Sequence, residues 1–453
     1  MSKQFIVPRG TSDILPDVVP LWEELESKAR KICKSYGYRE IRTPIFEETA
    51  LFKRSLGQTS DIVNKQLLYV TSQMPESLAK ASASSNDESM FMYEHALRPE
   101  ATASVVRSYI ENSLLGVGTR SLSKLFYIGP MFRGERPQKG RLRQFHQIGV
   151  EAIGPNSTSP FLDAEVIALA MHLLKEFGVK EPKLKINSLG SKEDKVNISI
   201  WLRTGEFSKH KNDLCEDCQS RFERNVFRVL DCKKEGCRKI VSMFVKNLPL
   251  STESQNYFHQ VQSALKSIGI AFEVSPHLVR GLDYYTHTVF EITAEGLGSQ
   301  DAVGAGGRYN GLVHDLGGKE KIDYGAVGFA LGIERILLSH GHEIPWQEPD
   351  IFIIAMKEEY QQNAFLLVQQ LRREGIGSDM NYDNLSFKTQ LNHANKMNVY
   401  YVLILGEDEI KNNTVALKDM QAGTQVTVEL KNIVSILKDK VSEVRKLRRV
   451  ARN

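Results

Sequence analysis

The sequence predicts an α+β domain built on an antiparallel sheet, broken by a helical insertion and followed by a separate α/β domain. Three observations carry this. Residues 124–151, KLFYIGPMFRGERPQKGRLRQFHQIGVE, read as two strands joined by a polar loop too long for a tight turn. From about residue 182 to 275 the pattern shifts to polar, helix-forming stretches that hold four of the five cysteines. After Pro349 short apolar strands alternate with amphipathic helices, as in an open sheet with crossovers. The expected boundaries are residues 1–181 and 276–345 for the first domain, 182–275 for the insertion, 349–435 for the last domain and 436–453 for a basic tail. A chain of 453 residues exceeds one ordinary core, so two or three domains are expected.

Within the hairpin, the strand from Arg143 alternates. Period two puts Phe145, Gln147, Gly149 and Glu151 on one face and His146, Ile148 and Val150 on the other. Arg133, Arg136, Lys139, Arg141 and Arg143 stand against one acid, Glu135. A ring of guanidiniums suits a polyphosphate, because each offers a planar, permanently charged fork of donors. Phe145 offers a stacking surface, and Gln147 and Glu151 offer polar groups to a small ligand. A solvated basic edge is the plainer alternative.

The remaining elements follow in order. Residues 17–36 carry Leu21, Leu25, Ala29, Ile32 and Tyr36 at helical spacing, with Gly37 as the stop. YREIRTPIFE reads as a strand interrupted by Pro44, which cannot donate to a ladder. KASASSNDES, within 71–92, is a low-complexity loop. Arg98-Pro99-Glu100 leads into a helix over about 101–115, and 161–177 forms another. Tyr285, His287, Val289 and Glu291 are expected on one face of a strand, with Tyr284, Thr286, Thr288 and Phe290 on the other. Gly328 to Leu338 reads as a strand running into a helix, with Arg335 in its first turn.

Composition excludes several classes. Hydrophobic residues make up 41% and charged ones 25%, and no run of about 18 apolar residues would span a membrane. The N-terminus lacks the apolar core of a signal peptide, and five cysteines in such a chain fit a reducing cytoplasm. The net charge is +4, but Lys431 to Asn453 holds eight Lys/Arg against two Asp/Glu, so the remainder is net acidic. A basic tail suits a phosphate backbone. Cys215, Cys218, Cys232 and Cys237 have spacings that superficially suit zinc. The Cys-x4-Cys pair is looser than the usual knuckle, so the expectation is reduced, metal-free thiols. No Walker-type loop or GxGxxG after a strand is present.

Phe132-Arg133-Gly134-Glu135, a variable loop and Arg143-Gln144-Phe145 resemble the second signature motif of class II aminoacyl-tRNA synthetases. Gly328 to Leu338 resembles the third, and the first helix with its strand and Pro44 resembles the first, which builds that family's dimer interface. His277-Leu-Val-Arg280-Gly281-Leu-Asp283-Tyr284-Tyr285 through Glu291 is similar to a signature of the histidyl-tRNA synthetases within that class. Gly304 to Gly311 resembles their second signature.

The resemblance implies a class II catalytic domain, an anticodon-binding C-terminal domain and a cytoplasmic homodimer. It implies L-histidine, ATP with Mg2+, and tRNA(His) as substrates and partners. Arg280 and Arg133 would be catalytic, clamping the carboxylate and the α-phosphate. Histidine would meet Glu100 and Thr102 at its amino group, Glu151 and Tyr285 at its ring, with Gln147 and Tyr284 nearby. ATP would meet Arg133, Glu135, Arg141, Phe145 and Arg335. Two alternatives stand beside this: an inactive relative that regulates histidine biosynthesis, and a pure RNA-binding module.

Overall fold

The computed structural model describes residues 5–57, 60–70, 94–114, 122–138, 140–295, 297, 301–339, 349–383 and 386–450. The low-complexity loop, Lys139, the end of the first domain beyond 339 and the last three residues of the basic tail lie outside these. The chain divides into two compact units, Met1–Glu343 and Ile344–Asn453.

The first unit is organised on an eight-stranded sheet. Its spatial order is Arg39–Glu40, Ser123–Phe132, Gln144–Pro155, Tyr324–Gly332, Ala302–Arg308, Thr286–Thr293, Lys183–Ser188 and Glu273–Val274. The six central strands pair antiparallel; only the two short outer strands are parallel to their neighbours. The hairpin pairs Phe132 with Gln144 through Ser123 with Ile153. Alternation then sorts its residues. Ile148 and Val150 join Phe290, Ile292, Phe329 and Leu331 under the helices Val19–Ser35, Pro160–Glu176 and Thr252–Ser267. Phe145, Gln147 and Glu151 point to the opposite face, which holds the cavity described below. One face of the sheet is thus a helix-covered core; the other packs Leu125, Tyr127, Ile153 and Val289 in a second cluster with Val105 and Val106 and holds the cavity beside it.

Local signals explain the ends. The first helix has Pro20 in its first turn, and Gly37 at φ +83° terminates it where a side chain would be strained. Pro44 splits the predicted strand: Arg39–Glu40 joins the large sheet, whereas Phe46–Glu48 joins a three-stranded sheet with Tyr69–Val70 and His95–Leu97. The predicted helix near 101–115 spans Thr102–Glu111.

Two expectations differ from the structure here. Lys183–Ser188 and Thr252–Ser267, expected within the insertion, belong to the large sheet and its core. Their apolar faces are period-two and helical patterns that match the sheet they cover. The remaining segment, 192–247, packs Phe207, Phe222, Val229 and Val241 into the same cluster as Val289 and Tyr309, so it has no separate core. The strand expected to carry Tyr284 and Tyr285 begins at Thr286. His287 has φ +47°, and the pairing with Ala302–Arg308 shifts register there. That irregularity breaks the alternation, and the His287 ring packs against Tyr257, 5.1 Å away, on the helix-covered side.

The second unit is a five-stranded sheet in the order Ser378–Met380, Ile351–Ala355, Tyr401–Leu405, Thr414–Asp419 and Gln425–Glu429. The first three strands are parallel and the last two antiparallel. Helices Gln361–Arg373 and Phe387–Lys396 make the crossovers. Leu430–Val450 is one helix whose Ile433, Leu437 and Val441 are buried in this unit's core. The expected boundary at 435 therefore cuts a helix whose next turns still bury apolar side chains. Among the described residues no helix is long and apolar enough to cross a membrane.

Candidate active site

The cavity on the open face of the large sheet encloses about 710 Å³. Every side chain that the sequence assigns to histidine, ATP or catalysis lines it. These come from five places: the turn into the Thr102–Glu111 helix, the hairpin loop, the second hairpin strand, the arm before Thr286, and the start of the Ile333–Ser339 helix.

Glu151 lies at the centre, 1% exposed. Its Oε1 accepts a hydrogen bond from Thr102 Oγ1 at 2.7 Å, and its Oε2 accepts one from the Tyr309 hydroxyl. Burial pushes its carboxyl up to about 8, against the lowering effect of those donors, and nearby Glu100 raises it further. Gly328 makes room for it: a Cβ there would stand 1.9 Å from Glu151 Oε2 and 2.3 Å from the Val150 carbonyl. Glu100 is also buried, and its carboxylate accepts hydrogen bonds from the backbone N–H groups of Thr102 and Ala103. It thus caps the helix while facing the cavity. Tyr284 and Tyr285 are buried, their rings 4.6 Å apart, with Tyr284 5.6 Å from the Tyr309 ring. Gln147 Oε1 is buried without a partner among the described residues.

The cations form the other half. Arg133 Nε donates to the Pro99 carbonyl at 2.9 Å, and its guanidinium lies 5.1 Å from the centre of the Phe145 ring. Arg280 Nη1 is held by Glu291 at 2.6 Å, while its buried Nε has no partner among the described residues. Arg141 pairs with Glu135 at 3.3 Å. Arg335, in the first turn of its helix as expected, donates to the Gly140 carbonyl at 2.9 Å and to that of Ala302 at 2.5 Å. The cavity thus joins a buried carboxylate pair, Glu100 and Glu151, to guanidiniums of which Arg141 and Arg280 carry their own carboxylate partners.

Comparison with known proteins gives this arrangement its relatives. The family model for histidyl-tRNA synthetase matches residues 10–191 and 221–336, and the anticodon binding domain model matches 350–440. The chain belongs to the histidyl-tRNA synthetase family. It is 44% identical over 445 residues to a histidine–tRNA ligase of Geobacillus sp. (strain WCH70), covering 97% of this chain and 100% of that one. A histidine–tRNA ligase of Desulforamulus reducens is 43% identical, with 95% and 98% covered. The apo S. aureus histidyl-tRNA synthetase superposes with a TM-score of 0.75 at 35% identity, over 96% of this chain and 100% of that one. The class II fold, with its antiparallel sheet and C-terminal anticodon-binding domain, follows from this membership.

For this synthetase family member, sequence reasoning missed two cavity residues, Tyr309 and Glu291, and one that supports the cavity from behind, Lys195. Tyr309 lies inside the Gly304–Gly311 string, where the glycines drew the reading and the aromatic did not. Glu291, on the predicted face with Tyr285, holds Arg280 at 2.6 Å, a pairing that strand alternation does not announce. Lys195 carried no signal: its Nζ donates to the carbonyls of Asp283 and Tyr285 at 2.8 and 2.9 Å, fixing the tyrosine arm. The four cysteines, expected as reduced, metal-free thiols, are drawn together, their Sγ atoms all within 4.8 Å of one another. Folding of three chain pieces onto one point is invisible in their spacing.

Proposed function

We propose that this chain is a histidine–tRNA ligase: it activates L-histidine with ATP to histidyl-adenylate and pyrophosphate, then transfers histidine to the 3′ end of tRNA(His). The observation that carries this is the convergence of Glu151, Tyr285, Arg133 and Arg280 on one cavity. A neutral imidazole has one N–H donor and one acceptor nitrogen. Glu151 can accept from the first and the Tyr285 hydroxyl can donate to the second. A site that must hydrogen-bond its ligand rejects isosteres that leave buried polar groups unpaired, by factors on the order of 10⁴.

In activation, the histidine carboxylate attacks the α-phosphorus of ATP and pyrophosphate leaves. Arg133 and Arg280 hold the carboxylate and α-phosphate in line, and their fixed charge meets the developing negative charge without reorganisation. The place of Arg280 beside Arg133 in the cavity lining supports this role. Phe145 offers the adenine a stacking surface, and Arg141 and Arg335 serve the terminal phosphates. Glu100 and Thr102 serve the amino group. Of the carboxylates lining the cavity, Glu135 and Glu291 are paired with Arg141 and Arg280, Glu334 with His146, and Glu100 and Glu151 accept hydrogen bonds from Thr102. That donor set fits Mg2+ carried by phosphate oxygens rather than caged by protein; when bound, the ion neutralises phosphate charge.

The homodimer and the cytoplasmic setting rest on the family resemblance. Exposed Ile45, Phe46, Tyr69 and Val70 at the three-stranded sheet support the dimer. The regulatory reading has less support, since the chain carries the anticodon-binding unit and both arginines. ATP–pyrophosphate exchange, with and without histidine, tests the function. Exchange that needs histidine is expected; its absence would remove the enzyme reading.

A further inference from the structure

We propose that Cys215, Cys218, Cys232 and Cys237 bind one zinc ion as a tetrahedral tetrathiolate that pins one wall of the active-site cavity. The four Sγ atoms lie within 4.8 Å of one another, and no histidine or carboxylate completes the group. With zinc–sulfur bonds of about 2.3 Å, a tetrahedron needs sulfurs roughly 3.8 Å apart, so a small contraction around an ion closes the site. An iron–sulfur cluster would stand between its thiolates and hold them farther apart. A set of four soft donors selects zinc over magnesium or calcium.

The scaffold is built for this contraction. Cys215 stands just before the helix Glu216–Arg224 and Cys218 in its first turn; Cys237 is in the first turn of Glu235–Phe244. Two helix N-termini thus converge on the sulfurs, and positive helix ends favour thiolates. The Cys215 backbone N–H already donates to Cys237 Sγ at 3.2 Å. Cys218, Cys232 and Cys237 are buried and Cys215 is partly exposed, which leaves an entry side. The segment has no core of its own and only short helices, of three to ten residues beyond Gly205, so a metal staple has something to hold. The family model leaves 192–220 unmatched, so Cys215 and Cys218 lie outside what it describes.

The consequence reaches the reaction. Cys232, Lys233 and Lys234 line the same cavity as Arg280. Asn225 Nδ2, from the same segment, donates to Asp283 Oδ1 at 2.8 Å, and Arg228 donates to the Gly281 carbonyl. An ion at the four sulfurs would therefore fix both this wall and the arm that carries Arg280.

The test is elemental analysis of the full-length protein, purified under reducing conditions without chelators or metal-affinity resin. We expect one zinc per chain, released by mercurial titration of the thiols. Cobalt added to apoprotein should give the visible bands of a tetrahedral tetrathiolate. Cys218→Ser and Cys237→Ser should each lower zinc content to about a tenth or less. Should those variants not fold, the metal count of the unaltered chain still decides. Zinc below about a tenth per chain, iron in its place, or a disulfide among these cysteines by mass would overturn the proposal.

Discussion

Arg280 shows how one side chain can be positioned before its ligand arrives. Glu291 holds one nitrogen of its guanidinium at 2.6 Å, and the residue lines the cavity. Arg280→Ala should keep the fold and lower kcat for exchange by about 10²–10³, the scale of one lost electrostatic donor. Steady-state exchange kinetics with circular dichroism checks this, and near-normal turnover would refute the role. Glu151 has a different signature. An unfolded carboxyl titrates near 4.5, whereas burial holds this one near 8 in the ligand-free protein. The folded state therefore keeps a proton that the unfolded chain has released. Stability from this group is full below pH 4.5 and is lost as pH rises toward 8. Melting temperatures of Glu151→Gln, which cannot titrate, should lack that decline when compared with the unaltered chain from pH 5 to 8.5. Charged and aromatic residues within short motifs were legible at this scale. Tyr309 and Lys195 were not, because their partners lie 158 and 88 residues away.

At the scale of elements, the hairpin alternation placed Phe145, Gln147 and Glu151 on the cavity side, because period two is a property of the backbone itself. The alternation expected from Tyr285 to Glu291 failed at His287, whose positive φ turns its side chain to the other face. That irregularity depends on pairing with two neighbouring strands, and no local pattern encodes it. Gly328 is the element-level constraint with the sharpest test. It sits opposite Glu151 on the adjacent strand, and a methyl there meets a carboxylate and a backbone carbonyl together. Gly328→Ala should cost about 1–3 kcal/mol of stability and raise the KM for histidine more than that for ATP. Thermal unfolding with substrate-resolved kinetics measures both; an unchanged histidine KM would show that Glu151 does not define that subsite.

For the whole molecule, the sequence marked the change at Pro349 because the hydrophobic pattern itself changes. The insertion was harder to delimit, since its flanking strand and helix share a polar character with the segment they enclose, yet pack on the main sheet. The second unit carries its own core around Ile353, Leu403 and Leu437. A chain ending after Glu343 should keep histidine-dependent exchange, within about tenfold, and lose most tRNA charging. Parallel exchange and aminoacylation assays separate those outcomes, and equal loss of both would tie the units together in activation.

The most direct measurement is a crystal structure with histidine and a non-hydrolysable ATP analogue bound. The imidazole should lie within hydrogen-bonding distance of Glu151 and Tyr285, and the α-phosphate between Arg133 and Arg280. An imidazole bound away from Glu151, or an α-phosphate out of reach of both arginines, would contradict the proposed mechanism.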